Sequence, residues 1–193
     1  MHRLSASFVL CYHGCRKDVA ENLIGGADFK PSDNDYDWLG PGIYFWEANP
    51  RRGVQFVEEK SQRDECAAYD DGSVVGAIVD LGLCLDFTTS AGIDLVKSAY
   101  EIFAVATRLA GHALPRNTDD AMRRNLDCAV IRYLHQILGI AGAPPIQSVK
   151  GVFTEGDPIY PGAGILEKTH IQIAVRDPSC IKGVFRVRRR DLN

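Results

Sequence analysis

Ser7 to Tyr12 is a continuously apolar run of β-branched and aromatic residues, which predicts a buried strand ending where His13-Gly14 begins a turn. Lys17 to Ile24 then sets Val19, Ala20, Leu23 and Ile24 on helical spacing, and Gly25-Gly26 stops the helix. Asp28 to Leu39 carries Pro, Ser, Asn and four aspartates and reads as an exposed loop. Gly40-Pro41-Gly42 turns sharply into the strand-like Ile43-Tyr44-Phe45-Trp46. Asn49-Pro50 supplies an N-cap and a first helical residue, predicting a helix from Pro50 to about Ala68. Val74 to Leu85 is a long β-branched run. The next helix is expected from Ala91 to Ala110, with Leu95, Ala99, Ile102, Ala106 and Leu109 as its inward stripe. After a loop from His112 to Asp120, Arg123 to Leu138 reads as helical or mixed, with Ala129, Ile131 and Leu134 in the core. Val149 to Phe153, His170 to Val175 and Gly183 to Val187 close the chain as strands.

Strands at both ends and helices in the middle predict an α+β fold in which non-sequential strands meet. No repeat or linker interrupts the pattern, so residues 1–193 are expected to form one domain. A composition of 46% apolar and 24% charged residues excludes a disordered chain. The longest apolar runs fall far short of the roughly 18 residues a membrane span needs, so no membrane segment is expected. The run that stops at His13 is too short for a secretion signal, which argues for a cytoplasmic protein. A net charge of −3 offers no global field for nucleic acid. Cys11, Cys15, Cys66, Cys84, Cys128 and Cys180 are scattered without a CxxC pair and read as reduced, buried thiols. The five histidines lack paired ligand spacing, so no metal is expected. Neither GxGxxG nor GxxxxGK[ST] is present, which disfavours a Rossmann or P-loop site.

Three segments stand out: Tyr12-His13-Gly14 after the first strand, Gly40-Pro41-Gly42-Ile43-Tyr44-Phe45 before a helix, and the late Thr169-His170-Ile171-Gln172-Ile173-Ala174-Val175-Arg176-Asp177. In this order they resemble the three motifs of the ADP-ribosyltransferase superfamily, in its diphtheria-toxin and poly(ADP-ribose) polymerase branch with a triad of His, Tyr and a variable third residue. The resemblance implies a split β-sheet core with flanking helices, and NAD as co-substrate. It implies catalytic roles for His13, Tyr44 and Gln172. It makes Gly14 the backbone partner of the nicotinamide carboxamide, Tyr44 the ring stacked on nicotinamide, and His13 a donor to a ribose hydroxyl. Phe56 is the candidate for the second aromatic face, and Arg52, with Arg51, for the pyrophosphate. His13, Gly14, Tyr44 and Gln172 should then line one cleft, and a side chain at Gly14 should obstruct NAD while leaving the fold intact.

Gln172 stands where the polymer-forming members have Glu; it keeps hydrogen bonding and lacks the charge. Mono-ADP-ribosylation, NAD hydrolysis and a catalytically weak NAD- or ADP-ribose-binding module remain as readings beside a structural domain with a vacant cleft. Small members of this type are often bacterial toxins or effectors, which would add an antitoxin or partner protein; the acceptor is not legible. In the family the loop entering the last motif touches the acceptor, so Glu155, Asp157 and Tyr160 are candidate contacts, with Glu155 or Glu167 a candidate replacement base. Arg186, Arg188, Arg189 and Arg190 form a basic C-terminal cluster that reads as a solvated tail or a patch for an acidic partner.

Overall fold

The computed structural model describes residues 8–63, 72–118 and 123–192. It is a mixed α/β fold built on one seven-stranded sheet with four α-helices. The strands are β1 (Phe8–Arg16), β2 (Ile43–Glu47), β3 (Gly72–Asp80), β4 (Cys84–Asp86), β5 (Ser148–Phe153), β6 (His170–Val175) and β7 (Ile181–Arg186), in the order β4-β5-β6-β2-β1-β3-β7. Only the β4–β5 pair is parallel. The helices are α1 (Lys17–Ile24), α2 (Pro50–Arg63), α3 (Ser90–Leu109) and α4 (Asn125–Ile140).

Side chains alternate across each strand, and this sorts the core into layers. On one face Cys15 and Val75 pack against Ala20 and Leu23 of α1, beside a cluster of Cys11, Ile43, Phe45, Ala77, Val79, Ile173 and Val175. On the other face α2 lies against β1 and β3, while α3 and α4 close over Leu85, Val149 and Ala174. Asn49 caps α2 through its side chain, which accepts from the Arg52 backbone N–H at 3.0 Å. The C-terminal part of the expected helix, residues 64–68, lies outside the described residues, as does Cys66.

Two expectations change. β1 does not turn at His13-Gly14 but runs on to Arg16, because β3 pairs with it along its whole length, from Phe8↔Asp80 to Arg16↔Gly72. In α3 the inward residues are Leu95, Val96, Ala99 and Phe103, while Ile102 is 51% and Leu109 84% exposed. This helix carries apolar residues around most of its circumference, so periodicity alone could not select the buried side. Cys11, Cys15, Cys84 and Cys128 are free thiols, as read from their spacing, and Cys180 is buried. Among the described residues no helix is long and apolar enough to cross a membrane, and no cluster suits a metal ion.

Candidate functional site: a seam between two strands

Strand β1 pairs with β2 only at Cys11↔Glu47 and Tyr12↔Trp46, and the two strands then part. The Leu10 carbonyl accepts from the Ala48 N–H at 2.9 Å, so the even-numbered residues of β1 turn their backbone groups toward β2. In a continued ladder Gly14 and Tyr44 would exchange both hydrogen bonds. Instead His13 Nδ1 lies 2.8 Å from the Tyr44 carbonyl oxygen, and strand alternation directs the N–H and C=O of the buried Gly14 toward the side on which β2 has parted.

Burial is the main cause that lowers the pKa of His13; the hydrogen bond to Tyr44 opposes it and the charge of Lys60 adds to it. The ring is therefore neutral near pH 7. Its Nδ1 must carry the proton to donate to a carbonyl, which leaves Nε2 as an acceptor. The resemblance implied a donor at His13; in this tautomer the second ring nitrogen can only accept. The ring packs edge-on to Phe29 at 5.4 Å and against Phe45 at 5.6 Å.

Tyr44 leaves β2 on the opposite face from Phe45, so the rings of His13 and Tyr44 stand on opposite faces of the sheet, contrary to the expectation that His13, Gly14, Tyr44 and Gln172 line one cleft. The Tyr44 hydroxyl accepts from Leu39 N–H at 3.0 Å and donates to the Gly40 carbonyl at 2.8 Å. Burial, with Asp37 nearby, raises its pKa well above the ordinary value, so it stays a phenol. Gly40 has φ +76, and a Cβ there would sit 2.7 Å from Ile131, so the turn before Tyr44 requires glycine on both counts. Gly14 is needed for a second reason: an added Cβ would lie 2.6 Å from the Gly53 carbonyl and 3.0 Å from Val57, both on α2. A side chain at Gly14 thus displaces α2, contrary to the expectation that the fold would tolerate it.

Gln172 on β6 pairs with Trp46, two pairs beyond Tyr44↔Ala174, and its Oε1 accepts from Trp38 Nε1 at 2.8 Å. Phe56 packs on Trp46 at 5.0 Å, so its ring is engaged there. Arg51 is exposed, but Arg52 is only 4% exposed. Its guanidinium holds Glu155 at 2.6 Å and Glu59 at 3.4 Å and lies over the Trp46 ring. A pyrophosphate contact by Arg52 would have to displace Glu155. Asp157, Tyr160 and Glu167 are exposed on the loop between β5 and β6. In the C-terminal cluster Arg186 grips Glu21 with two 2.7 Å bonds, and Arg188 and Arg190 face Asp191 at 3.3 and 3.6 Å.

Trp38, Trp46 and His170 are the residues that motif reading passed over. His170 is 5% exposed and its Nδ1 sits 2.6 Å from the Lys168 carbonyl; among the described residues its buried Nε2 has no partner, and Trp46 Nε1 and Arg52 Nε are likewise buried without one. A tryptophan directly after Ile43-Tyr44-Phe45 and a histidine heading the last motif were the available signals. A cavity of about 350 Å³ lies behind Trp38, lined also by Phe87, Lys97, Tyr100 and Arg124. Comparison with protein-family models, with curated proteins and with solved structures gives no match.

Proposed function

We propose that the chain is an NAD-dependent mono-ADP-ribosyltransferase whose nicotinamide site is the seam between β1 and β2. The observation that carries this reading is the parting of β1 from β2 beyond Tyr12↔Trp46: strand alternation then directs one donor and one acceptor of Gly14 to that side, which is the complement of a primary carboxamide. On this reading Tyr44 supplies an aromatic ring from the face of β2 opposite Phe45, and the neutral His13 an acceptor for a ribose hydroxyl. In the reaction the bond between nicotinamide and ribose C1′ breaks with its electron pair going to the ring, which leaves neutral. The acceptor's nucleophile then forms the new bond to the oxocarbenium-like C1′ from the opposite face and releases its proton. Gln172, a neutral amide, supplies hydrogen bonding to this centre and no charge.

One observation favours a second reading, an NAD-binding module or slow NAD glycohydrolase: the candidate base Glu155 is held in the ion pair with Arg52. Incubating the purified protein with NAD and measuring free nicotinamide, then repeating with labelled NAD in a cell lysate, decides between them. Nicotinamide release with label on an acceptor supports transfer. Release without labelled acceptor supports the glycohydrolase, binding without release supports the module, and absence of NAD binding removes both readings. A toxin or effector role, an antitoxin partner and a cytoplasmic site of action belong to the same proposal and rest on the resemblance alone.

A further inference from the structure

Indole nitrogen can only donate, so the group of Gln172 that meets Trp38 Nε1 at 2.8 Å is its carbonyl oxygen, and the amide has one orientation. Its Nε2 amino group has no hydrogen-bond partner among the described residues, and the side chain is only half-buried. We propose that Trp38 is a positioning residue: it holds the Gln172 amide so that Gln172 meets its ligand as a hydrogen-bond donor, and the group recognised there is an acceptor oxygen. On the reading of the seam as an NAD site, on which only the identity of that oxygen rests, it belongs to the nicotinamide ribose.

The surroundings of Trp38 are built to fix it. Gly151 is the β5 partner of Gln172, and a Cβ at Gly151 would fall 2.8 Å from Trp38 Cη2, so the indole lies across bare backbone beside the amide. The ring of Phe153 packs at 4.9 Å, and the Arg124 guanidinium lies over both rings, 5.6 Å from Trp38 and 4.9 Å from Phe153. The two residues after Trp38 bind the Tyr44 hydroxyl through the Leu39 N–H and the Gly40 carbonyl. Trp38-Leu39-Gly40 is therefore a strap that touches the side chains of two of the three motifs.

Two measurements test the proposal. In the 1H–15N NMR spectrum the Trp38 indole peak, assigned by its loss in Trp38→Phe, should shift in Gln172→Ala and exchange with solvent about tenfold faster, while Gln172→Glu keeps it bonded. An unmoved, equally protected indole in Gln172→Ala overturns the proposal whether or not the protein turns over NAD. In kinetics, Trp38→Phe keeps the ring packing and removes the donor. It should lower kcat for nicotinamide release about tenfold with KM for NAD within about twofold, and lower it no further in a Gln172→Ala background. Equal losses in both backgrounds would mean that Trp38 only packs, and overturn its positioning role. A wild-type protein that neither binds nor cleaves NAD refutes the proposed function, and the indole measurement then decides the positioning role by itself.

Discussion

Arg52 and Glu155 stand 103 positions apart in the chain and 2.6 Å apart in the fold, where Arg52 also reaches Glu59 at 3.4 Å. Lys168 completes the set: its ammonium lies 2.8 Å from Glu59, and its backbone N–H donates to the Glu155 carbonyl at 3.0 Å. Both ends of the loop between β5 and β6 are thereby pinned to α2. The exposed Ile159, Tyr160 and Ile165 project from this pinned loop, where the resemblance places acceptor contacts.

The clamp should be visible in stability. Arg52→Met keeps the aliphatic stem over Trp46 but leaves two carboxylates without their shared cation, an arrangement that typically costs about 3 kcal/mol when one partner of a buried pair is removed. Glu155→Gln retains an acceptor for Arg52 and should cost about 1 kcal/mol. Urea unfolding of the two variants checks the ranking, and a loss in Arg52→Met no larger than in Glu155→Gln would show that the pair is not buried in effect.

Gly14 makes a steric prediction that is independent of any ligand. The smallest side chain would drive Cβ into the Gly53 carbonyl, and rigid backbone cannot give way as a flexible side-chain tip can. Gly14→Ala should therefore destabilise by about 1–3 kcal/mol by displacing α2. A melting temperature equal to wild type would mean that α2 does not approach β1 this closely. For the same reason, lost NAD binding in a Gly14 variant says little unless stability is measured beside it.

How far the sequence carried these conclusions differs from residue to residue. α1 was legible to its bounds because Gly25-Gly26 stops it locally, and the start of α2 because Asn49 caps it. β6 was legible because His170 to Val175 alternates within its own six residues. β1 was cut short at His13-Gly14 because glycine prefers turns, and the pairing with β3 that overrides this preference comes from 56 or more positions away. The site shows the same division. His13, Gly14, Tyr44 and Gln172 were picked by motif, but the parting of β1 from β2 that aims Gly14 at Tyr44 is set by which other strands hold each of them. Trp38 sits in an aspartate-rich stretch that looked like plain exposed loop, and Arg52 was read as a pyrophosphate contact rather than an ion-pair partner; their partners lie 134 and 103 positions away.

His135 gives a pH dependence whose sign follows from burial. Desolvation first, and then the charge of Arg176, push its pKa from the ordinary 6.5 down to about 3, and its buried Nε2 lacks a partner. The unfolded chain takes up a proton at this residue below about pH 6.5, while the folded protein resists until about pH 3. Its contribution to stability is thus whole above pH 6.5 and declines as pH falls through that window. Between pH 7.5 and 5.5 this one group should remove about 1 kcal/mol. Urea midpoints for wild type and His135→Gln at both pH values test this: the wild type should lose that much more than the variant, and equal losses would remove His135 from the account.

Gln172 separates chemistry from packing most directly, because Gln, Glu and Ala differ there in what they offer. Gln172→Ala removes the amide and strands the Trp38 N–H, so on the proposed function nicotinamide release should fall by about 1–3 kcal/mol of transition-state stabilisation. Gln172→Glu keeps an oxygen for the Trp38 indole and adds a negative charge close to the carbon that becomes cationic as nicotinamide leaves. Release should then be preserved or raised, chiefly as hydrolysis to nicotinamide and ADP-ribose. The ligand-facing group would change from donor to acceptor, which suits a ribose hydroxyl that donates. The charge must be held against partial burial, so the gain should grow with pH as the new carboxyl ionises. Nicotinamide release and melting temperature, measured side by side for the three forms, carry the test. Equal release in all three would take Gln172 out of the reacting site, and losses in both variants that track a common fall in melting temperature would leave it a residue of the sheet alone.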